Sequence, residues 1–394
     1  MEDMLTRRTF LAGLLAAAVT AGACSPGSGS VTADPSTPAP SSTSAPVATA
    51  AATSSVDEDV RTMLGNLADR YRAAEGAWPG FDPTEHPAVV AFRDGEEVQR
   101  VVTINHPDPD ALGEATAVEL DGLPFAAHLV TDLVDPGSLE AIPSFDFTSQ
   151  QGGVSSFVLI ADPTDAFFDP TTDEYAATYL HELFHRHQIL SWVETGFQDI
   201  ENYPLTADNL ALATLEERAL AAAMTAPDDD ERDLAARRFV ALRLQRRSAE
   251  SAVAELDDAQ EAAEGTARWI EHATAGQDDG ATYDADNFDR DLQTDLGGVQ
   301  GVKDTFAFGR FYASGAAVVE LLDRLGVDDY PGRIARGEAP ATVLAEALSV
   351  SADDVDQLVA DARSAYDPSA ELADQSADAA AIAATEPPVF GEDS

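Results

Sequence analysis

One short stretch of the sequence combines residue types that could bind a metal ion and activate water. His181, Glu182 and His185 form the pattern His-Glu-x-x-His. On a helix, residues four apart lie on the same face, so the two imidazoles could hold one Zn²⁺ with Zn–N distances of about 2.0–2.1 Å. Glu182 would lie beside the metal, where its carboxylate could take a proton from water and pass it to a leaving group. We therefore expect His181 and His185 to bind one zinc ion per chain and Glu182 to be the catalytic base.

A zinc site of this kind needs a third protein ligand. Metzincins continue with Gly and His at the third and sixth positions after the second histidine, where this sequence has Gln188 and Ser191, so that class is excluded. His187 lies on a different side of the helix from His181. The remaining solution is a glutamate from a later helix, as in the His₂Glu sites of thermolysin type. The candidates are Glu264, Glu261, Glu194, Glu201, Glu217 and Glu271.

Two later segments carry a resemblance to a known family. Glu264-Gly265-Thr266-Ala267 resembles the Glu-Gly-x-Ala run that supplies the third zinc ligand in gluzincin aminopeptidases, and Tyr312-Ala313-Ser314-Gly315 resembles their Tyr-x-x-Gly segment. The resemblance implies an α+β, thermolysin/aminopeptidase-like zincin domain in which Glu264 binds zinc and the Tyr312 hydroxyl stabilises an oxyanion. The Gly-x-Met-Glu-Asn segment that holds a free amine in the aminopeptidases is absent from the sequence. We therefore expect a metallopeptidase that is not an aminopeptidase.

The two parts of this pattern are far apart in the chain. Seventy-eight residues separate His185 from Glu264, and two segments of helical composition, 210–224 and 234–256, fill the gap. We expect the arginines of the second segment, and Arg310 further on, to pair with acidic side chains. Candidates for orienting the zinc-bound imidazoles are Asp173, Glu174, Glu217 and His272.

The first 24 residues are typical of an export signal. Arg7-Arg8 within Thr6-Arg7-Arg8-Thr9-Phe10-Leu11 resembles the twin-arginine signal, and the apolar run 11–19 is too short for a permanent membrane span. Ala21-Gly22-Ala23-Cys24 resembles a lipobox, which implies lipidation of Cys24 and attachment to the outside of the cell membrane. Cleavage near Ala23 without lipidation would give a secreted protein instead. Because twin-arginine substrates cross the membrane folded, this protein could acquire its metal before export.

Composition limits the partners and the chemistry. Against 71 acidic residues the chain has 23 basic ones, of which Lys303 is the only lysine, so the formal net charge is −48. This charge argues against nucleic-acid binding, which needs cationic side chains to neutralise phosphate. The single cysteine excludes an intrachain disulfide and a cysteine-based zinc site. The excess of Arg over Lys and of acids over bases fits both a GC-rich genome and adaptation to high salt.

The remaining sequence predicts the order of the parts. Residues 25–55, rich in Ser, Thr, Pro and Ala, predict a disordered linker, and 367–394 a disordered acidic tail. Between them we expect a small α/β region at 56–150, with a hairpin around Asp94-Gly95, and a mainly helical metallopeptidase domain at 151–366. The expected partner is a peptide or protein substrate. The alternatives are a zinc hydrolase of a non-peptide amide or ester and a catalytically silent lipoprotein; the sequence gives no oligomeric state.

Overall fold

The computed structural model describes residues 57–193, 203–275, 282–292, 298–367, 369 and 371–385. The predicted signal peptide, Cys24 and the linker 25–55 lie outside the described residues. Among the helices that the structure describes, none is long and apolar enough to cross a membrane.

A six-stranded sheet forms the N-terminal part, with spatial order β3-β4-β2-β1-β6-β5. β1 and β6 are parallel, and every other neighbouring pair is antiparallel. The predicted hairpin around Asp94-Gly95 is confirmed, since it joins β1 to β2 and Gly95 has a φ of +65°. The strands are β1 Ala88–Asp94, β2 Glu97–Ile104, β3 Glu114–Ala117, β4 Ala127–Thr131, β5 Phe145–Gln151 and β6 Val154–Ala161.

Both faces of the parallel strands β1 and β6 are buried, because alternate apolar residues enter different clusters. Val89 and Val158 face a small cluster that helix α2, Pro136–Glu140, helps to cover. Val90 and Leu159 face the main core, which is continuous with the helices. The division that we expected at 150/151 falls within the β5–β6 hairpin, and the residues on its two sides share one core. It is therefore not a domain boundary.

The described residues after the sheet are mainly helical, as the sequence predicts, and the α+β class is confirmed. Helix α1, Glu58–Ala73, precedes the sheet and packs on the core. The later helices are α3 Asp173–Ser191, α4 Ala207–Met224, α5 Asp229–Ala249, α6 Ser251–Gln260, α7 Thr266–Ala273, α8 Ala285–Asp291, α9 Val299–Lys303, α10 Arg310–Arg324, α11 Tyr330–Ala335, α12 Pro340–Ala347, α13 Val355–Tyr366 and α14 Glu371–Ala383. π-helical turns at Glu261–Gly265 and Asp304–Gly309 lead into α7 and α10.

The expectation of a disordered tail is wrong for residues 371–383. These residues form α14, whose Leu372 and Ala379 are 3% and 2% exposed. They lie on one helical face together with Ser376, so an Ala- and Asp-rich segment still buries an apolar stripe.

Helix α3 carries the His-Glu-x-x-His pattern and has a well-defined start. The Thr172 hydroxyl accepts a hydrogen bond from the backbone N–H of Tyr175, which caps the helix, and Asp173 and Glu174 place negative charge in its first turn. Tyr179, Leu180 and Leu183 are fully buried in the main core. The helix is therefore fixed by packing on the face that adjoins its two histidines.

Candidate metal centre

Three side chains from two separate segments converge inside the protein. His181 and His185 lie one turn apart on α3, and Glu264 comes from the π-helical turn Glu261–Gly265. The two histidine Nε2 atoms are 3.0 Å apart, and Glu264 Oε2 lies 3.2 Å from His185 Nε2 and 3.4 Å from His181 Nε2. Each of the three residues is at most 4% exposed. These three atoms form a nearly equilateral triangle.

The size of this triangle fits a metal ion of the size of zinc. In a tetrahedral site with metal–ligand distances of about 2.05 Å, neighbouring ligand atoms lie about 3.3 Å apart. The three observed separations, 3.0, 3.2 and 3.4 Å, bracket that value. Two imidazoles and one carboxylate are also a donor set that zinc accepts. The residues present therefore fit the group.

Gln188 fixes the orientation of His185. Its amide nitrogen donates to the carbonyl of Ala263 at 3.0 Å and to the hydroxyl of Thr266 at 2.8 Å. Its amide oxygen therefore faces His185 Nδ1, at 2.7 Å, and accepts the proton that Nδ1 carries. This leaves the lone pair of Nε2 directed at the metal position.

Glu271 occupies the corresponding place beside His181, in an ion-pair contact and not a hydrogen bond. Its Oε2 lies 3.3 Å from His181 Nδ1, while its Oε1 accepts from the guanidinium of Arg268. Arg268 in turn binds Asp291 through two hydrogen bonds of 2.8 and 2.6 Å. With both Nδ1 atoms protonated, two nitrogen lone pairs and a carboxylate oxygen point at one place, and a cation there would satisfy all three.

Without a metal, the histidines and carboxylates of this cluster strongly change one another's pKa values. Burial alone would lower the pKa of His181, but the Glu264 and Glu271 carboxylates outweigh it and raise that pKa to about 10. Burial also opposes ionisation of Glu264 and Glu271, yet the histidines and, for Glu271, chiefly Arg268, hold their pKa values well below the usual range. A proton on His181 therefore competes with a metal ion for the same site.

Glu182 lies on the same helix and is 2% exposed. Its Oε2 is buried and makes no hydrogen bond with the residues that the structure describes. Burial raises the pKa of Glu182 to about 7, against the opposing charges of His181 and His185. A carboxylate poised near neutrality can both accept and return a proton.

Tyr312 of α10 lies beside the cluster and contacts His181. Its ring stacks on His181 with centroids 5.7 Å apart and an interplanar angle of 26°. Burial and the nearby carboxylates of Glu264 and Glu182 raise the pKa of Tyr312 well above its ordinary value, so its hydroxyl is protonated. A protonated phenol at this position is a hydrogen-bond donor next to the metal position.

The other candidates for the third ligand lie elsewhere. The Glu261 carboxylate binds Arg243, and the Glu217 carboxylate is buried on α4 near Arg310. Glu271 contacts His181 at Nδ1, the nitrogen that faces away from the metal position. Glu194 and Glu201 fall outside the described residues.

Several other predictions about charged residues can be compared with the structure. Internal pairing of the arginine cluster is confirmed for Arg243 and Arg246, and Arg310 pairs with the buried Asp257. The residues that orient the imidazoles, Gln188 and Glu271, were not among those we expected. Asp173 pairs instead with Arg70, Glu174 is exposed and His272 lies near Asp291.

The sequence did contain a signal for both missed residues. Gln188 is three residues after His185, so helical spacing places it near that histidine. Glu271 is seven residues after Glu264, so helical spacing places it on the same side as Glu264, which faces the histidines. The structure thus brings together the expected ligands His181, His185 and Glu264, with Glu182 and Tyr312 beside them. No family model, curated protein or solved structure matches this chain.

Proposed function

We propose that this protein is a zinc metallopeptidase of gluzincin type, with a thermolysin-like catalytic domain. The observation that carries the proposal is the buried triangle of His181 Nε2, His185 Nε2 and Glu264 Oε2 with Glu182 beside it. A purely structural metal site has no use for an extra buried carboxylate such as Glu182. Zn²⁺ bound to the triangle would supply Lewis-acid polarisation of water and of a substrate carbonyl.

Each side chain around the metal position then has its own role in the reaction. Glu182 Oε2 takes a proton from the attacking water and returns it to the leaving amine. The Tyr312 hydroxyl donates a hydrogen bond to the oxygen on which negative charge develops. Gln188 and Glu271 keep both imidazoles in the tautomer that directs Nε2 at the metal.

A peptide substrate is supported by the position of the sheet. β5 is one of the two edge strands of the described sheet, and the ring of its Phe147 lies 5.8 Å from that of His185. An extended peptide can pair with an edge strand through its backbone. The metal position lies close to that edge, which favours an internal peptide bond over a small ester.

The sequence of the N-terminus supports a location outside the cell membrane. The twin-arginine motif at Arg7-Arg8 and the lipobox ending at Cys24 would export the folded protein and tether it by a lipid. The Ser-, Thr- and Pro-rich linker 25–55 would separate the catalytic domain from the membrane surface.

Metal analysis together with hydrolysis tests the proposal. We expect the purified full-length chain to contain one zinc ion, and His181→Ala and Glu264→Ala to contain none. We expect the zinc-loaded wild type to cleave an unstructured protein such as casein, and a blocked internal peptide in preference to a free amino-terminal residue. A wild-type chain that binds no zinc, or that binds zinc in Glu264→Ala as tightly as in the wild type, contradicts the proposed site. Cleavage of esters alone would replace the peptidase by a different zinc hydrolase.

A further inference from the structure

A buried cluster of charged side chains adjoins the π-helical turn that carries Glu264. It joins α4, α5, α6, the π-helical turn and α10, and it contains three arginines and three carboxylates in balance. Each member is at most 2% exposed: Glu216, Arg243, Arg246, Asp257, Glu261 and Arg310. Arg246 and Arg310 donate to the hydroxyl of Tyr203, which in turn donates to Asp257.

One part of this cluster connects directly to the segments that form the metal centre. Arg243 of α5 donates to both oxygens of Glu261, at 2.7 and 2.9 Å. Ser314 of α10 donates to Glu261 Oε1 at 2.5 Å. We call Arg243, Glu261 and Ser314 the clamp. Glu261 opens the π-helical turn that carries Glu264, and Ser314 follows Tyr312 by two residues.

The clamp therefore joins two segments that must keep a fixed distance from each other. One bears the third metal ligand and the other bears Tyr312, the proposed oxyanion donor. The fork of Arg243 holds the Glu261 carboxylate in one orientation relative to α5, and the Ser314 hydrogen bond joins this oriented carboxylate to α10. Together the two contacts restrict sliding of the π-helical turn against α10. A hydrophobic contact of the same size has no such directional preference.

Energetics also favour a positioning role over a purely stabilising one. Removing six charged groups from water costs several kcal/mol for each ion, and their mutual attraction often does no more than offset that cost. Well-packed apolar side chains would fill the same volume at least as favourably. What the charged cluster supplies in addition is defined geometry beside Glu264.

We propose that Arg243, Glu261 and Ser314 are positioning residues that set the affinity of the metal centre and the distance between Glu264 and Tyr312. This inference rests on the proposed function. It also gives the helices between His185 and Glu264 a role, because α5 supplies Arg243 and α4 supplies Glu216, which binds Arg243 Nε at 3.0 Å. The helices between His185 and Glu264 are then part of the catalytic domain and hold in place the π-helical turn that carries the third ligand.

The test compares clamp variants with a control of similar stability. The full-length variants Ser314→Ala, Glu261→Gln and Arg243→Lys are loaded with zinc, and the zinc affinity is measured by competition with a chromophoric chelator. Val158→Ala is the control, because it opens a cavity in the cluster on the opposite face of the sheet and touches neither segment. All measurements are made below the temperature at which each variant begins to unfold. The visible spectrum of the cobalt-substituted proteins reports the geometry of the ligands.

We expect Glu261→Gln and Arg243→Lys to bind zinc about 10–100-fold more weakly than the wild type, the range seen when groups behind metal ligands are removed. We expect Ser314→Ala, which removes one hydrogen bond, to keep the zinc but to change the cobalt spectrum and lower kcat with KM nearly constant. Val158→Ala should lose stability and keep native zinc affinity and spectrum.

Native zinc affinity and a native cobalt spectrum in all three clamp variants would show that the cluster only stabilises the fold, and would overturn the inference. If Arg243→Lys does not fold, the cobalt spectrum and kcat of Ser314→Ala test the inference, because this variant leaves every charge in place. A wild-type chain without zinc overturns the proposed function before any variant is compared, so the two failures are distinguishable.

Discussion

Gly265 and Gly315 lie in direct backbone contact where the π-helical turn crosses α10. A Cβ atom added at Gly315 would lie 2.6 Å from the Cα atom of Gly265 and 2.7 Å from the carbonyl oxygen of Glu261. Neither segment can therefore carry a side chain at the crossing. Each glycine belongs to one of the two family-like motifs, Glu-Gly-x-Ala and Tyr-x-x-Gly, so the contact explains why both motifs contain glycine and why Glu264 and Tyr312 face the same site.

Substitution of Gly315 by alanine is expected to force the two helical segments apart. The neighbouring atoms belong to the backbone and cannot rotate away, so we expect a loss of about 1–3 kcal/mol in the free energy of unfolding. We also expect weaker zinc binding, because Glu264 moves with the π-helical turn. Chemical denaturation and chelator competition measure the two effects.

Gly65→Ala is the matched control for this substitution. Gly65 is also helical, but a Cβ atom there would meet nothing within 4 Å. Alanine should therefore raise the free energy of unfolding by up to about 1 kcal/mol and leave zinc affinity unchanged. Equal behaviour of the two variants would contradict the close crossing.

The contact between Glu271 and His181 predicts a second effect on zinc binding. Glu271→Gln removes the negative charge that supports the Nδ1 proton of His181, and we expect zinc affinity to fall about 10–100-fold. Glu174→Gln removes a carboxylate from an exposed position on the same helix as His181, and it should bind zinc like the wild type. Competition with a chelator of known affinity compares the three proteins. An unchanged affinity in Glu271→Gln would assign His181 a different support.

The role of Glu182 as the proposed base can be tested separately from the role of the proposed metal ligands. Glu182→Gln keeps the size and polarity of the side chain but cannot take a proton from water. We expect one zinc ion per chain and a loss of about 10²–10⁴ in kcat. Elemental analysis and a peptide-cleavage assay on the same sample are both needed. Substantial activity with Gln at this position would rule out the proposed proton transfer.

Tyr312 is expected to act on the transition state alone. Tyr312→Phe removes the hydroxyl and keeps the ring that stacks on His181, so we expect kcat to fall about 10²–10³-fold with little change in KM or zinc content. Tyr71→Phe is the control, since the Tyr71 hydroxyl is also buried but bonds to Tyr179 in the core. A similar loss of kcat in both variants would point to a general effect of buried hydroxyl removal.

The local part of the site could be predicted from the sequence because it depends on helix geometry alone. Residues four apart on a helix meet, so His181 and His185 had to form a pair. The choice between Glu261 and Glu264 depends on a π-helical turn, and no residue preference indicates where such a turn occurs. Only the family-like run beginning at Glu264 separated the two.

The long-range parts of the fold were harder to predict. The parallel pairing of β1 with β6 joins segments about 60 residues apart in the sequence, and hydrophobic patterns do not specify strand partners. This pairing is why the expected boundary at 150/151 does not exist. Helix α14 was missed for a different reason, because its apolar stripe consists of Leu372 and small residues whose burial depends on a neighbour.

A last prediction concerns stability at acidic pH and the residue His86. His86 is 8% exposed and packs against the rings of Phe81 and His187, and burial together with the charges of His187 and Arg186 lowers its pKa to about 4, although Asp82 opposes the shift.

The unfolded chain, with an ordinary histidine pKa near 6.5, takes up a proton at this position as the pH falls below about 6.5, whereas the folded protein does not until the pH approaches about 4. The free energy of unfolding should therefore decrease through that interval, with a contribution from His86 of about 3 kcal/mol between pH 7 and pH 4. In His86→Phe, which keeps a ring and cannot ionise, we expect a correspondingly shallower dependence on pH in urea denaturation between pH 7 and pH 4. Val158→Ala, which opens a cavity in the apolar cluster on the opposite face of the sheet, should lower stability by a similar amount at every pH and keep the wild-type slope. If His86→Phe kept that slope as well, the acid sensitivity would have to come from other groups.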